Sequence, residues 1–167
     1  MIMNFPILLA ATLIPLVIGF VWYNPKIGFG KAWMSASGMT EEKAKGANMI
    51  VVFGLTILFS FMIAMIMQAL VIHQIHFGSI LKFQADSADP NSESSQLLKT
   101  LMEKYGHDHR TFKHGAFHGT ISGIFLALPL LSINALFERR GFKYIAINAG
   151  YWIISFALMG GVICQWA

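Results

Sequence analysis

The chain has 167 residues, 56% of them hydrophobic and 12% charged, with a mean hydropathy of +0.60 and a formal net charge of +4. That balance lies outside ordinary soluble composition and predicts an all-α integral membrane protein, with the lipid bilayer as its first partner. The basic residues flank apolar runs instead of forming a patch with interleaved aromatics, which argues against a nucleic-acid partner.

Four apolar runs, at about 5–23, 48–72, 115–137 and 144–166, predict four transmembrane helices in one membrane domain spanning 1–167. At about 1.5 Å per residue the shortest covers roughly 28 Å, close to the hydrocarbon thickness of a bilayer. The first run follows a leader without Lys or Arg and has no small-residue cleavage site before Trp22, so it reads as a retained helix. Pro6 falls in its first turn, where a missing N–H costs little, and Pro15 is expected to kink it.

The first connection opens with Trp22 and Tyr23, an aromatic pair suited to the headgroup level, and Asn24-Pro25 ends the helix. Ile27, Phe29, Trp33 and Met34 keep the following segment on the membrane surface. Thr40 before Glu41 and Glu42 reads as an N-cap with acids in the first turn.

Residues 77–113 form an extramembrane insertion. Its stretch from Asp86 to Ser95 is polar, contains Pro90 and has no apolar period, which predicts a mobile segment. Leu97, Leu98, Leu101, Met102 and Tyr105 then recur at helical spacing, predicting a short amphipathic helix near 95–105 with Gly106 at its end.

Four of six histidines fall within HDHRTFKHGAFH, residues 107–118. His114 and His118, four apart, share one face of the third helix; His73 and His76, three apart, sit at the end of the second. Antiparallel consecutive helices bring both pairs to the same membrane side. The first reading is a hydrogen-bonding or pH-sensing interfacial cluster. The second is a site for Zn²⁺ or another borderline divalent metal held by His73, His76, His114 and His118, with His107, Asp108 and His109 as substitutes or as partners that hold the ligands from behind.

Gly115, Gly119 and Gly123 repeat at four-residue spacing and let a neighbouring backbone approach closely, inside one bundle first and between protomers second. Asn134 and Asn148 are amides in or near the bilayer, expected to bond across helices or to the backbone near Pro129, with ligand binding as the alternative. The only cysteine, Cys164, leaves no intrachain disulfide and no reading of redox compartment.

WYNP at Trp22–Pro25, FGKAW at Phe29–Trp33, LFE at Leu136–Glu138 and INAGYW at Ile147–Trp152 together resemble an uncharacterised family of small bacterial four-helix membrane proteins, domain of unknown function 1761. The resemblance implies a four-helix protein of the bacterial inner membrane and supplies no activity. The long insertion between helices two and three departs from the family's common pattern.

The short loops hold Lys26, Lys31, Lys43, Lys45, Arg139, Arg140 and Lys143, which predicts that they are cytoplasmic and that both termini and the 73–114 loop are extracytoplasmic. Arg110 and Lys113 argue the other way. Neither H-E-x-x-H nor G-x-S-x-G is present, so no enzyme is expected. All eight acids lie in loops or at a helix end, Glu138 beside Arg139 and Arg140, which disfavours proton-coupled export. The reading is therefore a structural or accessory membrane protein, expected to form a homo-oligomer and to meet other membrane proteins. The alternative is a small transporter or channel-like protein with a histidine-lined path. A continuous polar cavity along Asn134, Asn148, Ser122 and Thr56 would favour the alternative.

Overall fold

The computed structural model describes residues 4–167 except 83, 85 and 87, so the leader's first three residues and Ser87 of the polar stretch lie outside it. Every regular element among the described residues is helical. Among the described residues, four helical stretches are long and apolar enough to cross a membrane: Phe5–Trp22, Met49–Val71, Phe112–Phe137 and Phe142–Trp166.

The first is two helices, α1 (Phe5–Thr12) and α2 (Ile14–Trp22), joined at Leu13. Pro15 has no N–H to donate back to Ala11, and the break lies in the turn just before it. The chain then folds sharply under α2, Phe29 N–H donating to the Trp22 carbonyl at 2.6 Å. Gly28 and Gly30 make this turn possible, because a Cβ at either would fall on the carbonyl oxygen of Val21 or Tyr23. Helices α3 (Gly30–Ser37) and α4 (Glu41–Lys45) follow, the latter capped by the Thr40 side chain at 3.3 Å from Lys43 N.

Helix α5 (Met49–Val71) begins at Asn48, whose side chain accepts from Ile50 and Val51. It ends one residue earlier than the hydropathy suggests, because Ile72 is extended (φ −112°, ψ 93°) and redirects the chain into α6 (Gln74–Leu81). The amphipathic helix, α7 (Glu93–Tyr105), starts two residues before its predicted position because Ser92 caps it at 3.2 Å from Ser95 N. In the polar stretch before it, Ser94 donates to Asp86 at 2.7 Å and Asn91 N–H to Asp89 at 2.9 Å.

The third span is α8 (Phe112–Ser122), one π turn at Gly123–Ala127, and α9 (Leu128–Phe137). Thr111 caps α8 at 3.2 Å from His114 N, so the helix includes both of its histidines. The π turn precedes Pro129, which cannot donate to Phe125 and so loosens the regular ladder. The last span, α10 (Phe142–Trp166), is the central one. Of its most apolar window 56% is buried, against 22%, 11% and 11% for the other three in chain order. The three outer spans turn residues such as Phe20, Ile50, Phe125 and Leu136 outward, as lipid contact requires.

Glycine lets α8 lie directly on α10. A Cβ on Gly115 would fall on the Gly160 carbonyl and the Cys164 Cβ; one on Gly119 would fall on the Phe156 carbonyl; one on Gly123 would lie 2.7 Å from Ile153 Cα. Gly160 on α10 answers Gly115 in the same way. These contacts lie within the chain, so this seam is occupied before any second copy is considered.

Candidate functional site

His114-Gly115 and His118-Gly119 repeat the same pair four residues apart, so one residue of each pair faces α10 and the other the adjacent side of α8. The seam that pins α8 therefore also aims the two imidazoles. Their ring centroids lie 4.5 Å apart. His73, at the N-cap of α6, meets them from the other span: its Nε2 is 3.0 Å from His114 Nε2, and its ring centroid is 4.8 Å from that of His118. One ligand atom from each of the three falls within 4.8 Å of the others. His73 is exposed and the α8 pair half-buried, so the group opens to solvent.

His76 does not join this group. The break at Ile72 makes residues 73–76 the first turn of a new helix, of which the first ring reaches α8 while His76 stays exposed beside it. His109, expected near the site, stacks on His114 at 5.1 Å and 28° between ring planes. Its backbone is left-handed (φ 59°), which folds the loop back over α8.

That loop is strapped to both neighbours. Gln74 donates to the carbonyls of Tyr105 (2.9 Å) and Asp108 (2.7 Å). Arg110 donates to the Cys164 carbonyl at 2.7 Å and to that of Ala167, complementing the negative end of α10. Cys164, fully buried, donates to the carbonyls of Val71 and His109 at 3.3 and 3.5 Å. Partial burial, and then the neighbouring imidazoles of His118, His76 and His109, lower the pKa of His73 from 6.5. The folded chain thus favours a neutral ring. As pH falls through 6.5 the unfolded chain takes up the proton first, so this residue's effect on stability is a loss on the acid side.

Of the four polar residues that would mark a passage, three are closed off separately, and Asn134 faces outward instead of bonding across helices. Thr56 donates to the Val52 carbonyl (2.7 Å) and Ser122 to that of His118 (2.9 Å), each within its own helix. Asn148 accepts from the Tyr23 phenol (2.9 Å) and donates to the Tyr144 carbonyl (2.8 Å). Asn134 is exposed on the outer surface of α9. They do not converge.

Asn148 belongs to an interlock at the opposite end of the bundle. Trp22 Nε1 donates to the Ile147 carbonyl at 3.0 Å, its ring packs on Phe29 at 4.7 Å, and it lies where a Cβ on Gly150 would come within 3.0 Å. Tyr23 packs on Trp33 (5.4 Å) and Tyr151 (5.1 Å), and its burial raises the phenol's pKa, keeping the proton that it donates to Asn148. WYNP, FGKAW and INAGYW are thus three parts of one contact. LFE lies at the same end, where Glu138 is 3.5 Å from Arg140 and Arg140 donates to the Ser37 carbonyl at 2.7 Å.

A family profile described as protein of unknown function (DUF1761) matches residues 7–164. The chain belongs to the DUF1761 family. No curated protein and no solved structure matches this DUF1761 chain. The matched region includes the interlock and all three converging histidines.

Proposed function

We propose that this protein is a structural or accessory protein of the bacterial inner membrane, not a conduit and not an enzyme. The separate closure of Thr56, Ser122 and Asn148 carries this reading: each of the three has a partner on its own or an adjoining helix, and they do not converge. Close glycine contacts between α8 and α10 support it further, leaving backbone against backbone where a path would run. The acids offer no intramembrane carboxylate for coupling. Its working surface is the histidine end, and the lipid-facing sides of the outer spans, with Asn134 among them, are where a second copy or another membrane protein would pack.

Reconstituted in liposomes, the protein is expected to dissipate a pH gradient and to admit Zn²⁺ no faster than protein-free vesicles. Flux above that background, reduced by His118→Ala, would transfer the assignment to a small transporter or channel.

The seven basic residues of the short loops support an orientation with those loops in the cytoplasm and the histidine end outside it. A reporter active only in the cytoplasm, fused at Ala167, is expected to stay silent. Activity there would reverse the orientation.

A further inference from the structure

We propose that His73, His114 and His118 form a binding site for a borderline divalent transition-metal ion of the zinc and copper class, at the membrane boundary of the bundle. The donor set selects the ion. Three imidazole nitrogens converge, with no carboxylate or thiolate in the group, whereas Mg²⁺ and Ca²⁺ require oxygen ligands and Cu⁺ prefers sulfur.

Spacing supports the same choice. A tetrahedral ion with metal–nitrogen bonds of about 2.0–2.1 Å holds its ligand atoms roughly 3.3 Å apart. The Nε2 atoms of His73 and His114 are 3.0 Å apart, and all three ligand atoms lie within 4.8 Å. Two ligands stand on α8, fixed against α10 by Gly115 and Gly119; the third follows Ile72, which is fully buried.

Three histidines leave a fourth position open, as in exchangeable and catalytic zinc sites and unlike closed structural ones. The exposure of His73 places that position on the solvent side. His109 covers His114 from the loop without joining the converging atoms. This site would acquire and release its ion from the aqueous side, and it stands whether or not the chain conducts.

The test uses the full chain purified without a histidine tag, stripped with a chelator and titrated with Zn²⁺ by calorimetry and elemental analysis. One ion per chain is expected. His73→Gln, His114→Ala and His118→Ala should each weaken binding by at least about tenfold, while His76→Ala and His107→Ala leave it unchanged. His73 is exposed, so His73→Gln is expected to fold even if an α8 variant does not. X-ray absorption of the zinc form should give a nitrogen shell near about 2.0–2.1 Å. No stoichiometric zinc in the wild-type chain would overturn the site, as would binding retained by the folded His73→Gln variant.

Discussion

Gly119→Leu is expected to unfold this protein or to split it into poorly packed species in detergent, whereas Gly54→Leu is expected to be silent. Both glycines lie inside spanning helices, so propensity and hydropathy do not separate them. Their surroundings do. A Cβ on Gly119 meets the Phe156 carbonyl and lies 3.0 Å from Ala157 Cα, while one on Gly54 meets nothing within 4 Å.

Backbone cannot step aside as a flexible side chain can, so α8 must lift from α10 along the whole seam. Overpacking typically costs up to about 3 kcal/mol, and a site blocked by backbone lies at that upper end. For a chain of this size that corresponds to a fall in Tm of roughly 6–12 °C. Membrane helices gain little from burying apolar side chains away from lipid, so close contact of this kind is a large part of what holds them together. Thermal unfolding in detergent, followed by fluorescence-detected size exclusion, compares the two variants. Equal stability would show that the α8–α10 contact does not hold the bundle.

Hydropathy made the four spans legible because lipid demands long apolar helices, and the four-residue glycine spacing marked the packing face of α8. Neither signal contained the partner. Gly160 and Phe156 answer the seam from α10, far along the chain, and nothing local marks them as its partners. α8 starts three residues before the apolar run, because Lys113 and His114 are polar and only Thr111 signals the cap. No Gly or Pro announces the break at Ile72, so continuation of the second helix was the natural reading, and His76 was grouped with His73 on that basis. The stacking of His109 could not be read from sequence either, since it depends on a loop tied down by Gln74 and Arg110. The family motifs were visible as words, but Tyr23 and Asn148 are 125 residues apart and their bond is a property of the fold alone.

Convergence of His73 with the α8 pair joins fold to site, and cross-linking reads it directly. In a Cys164→Ala background, cysteines replace His73 and His114, and a protease site is inserted after Pro90, in the turn before α7, where an exposed loop tolerates insertion. A Lys45/His114 cysteine pair serves as control, because α4 lies at the other end of the α5 span. After treatment in membranes with a short bifunctional thiol reagent and cleavage, the two halves of the 73/114 protein should migrate as one species and those of the 45/114 protein should separate. If the halves of the 73/114 protein separate as completely as the control's, the second and third spans do not meet at His73 and the histidine site does not exist.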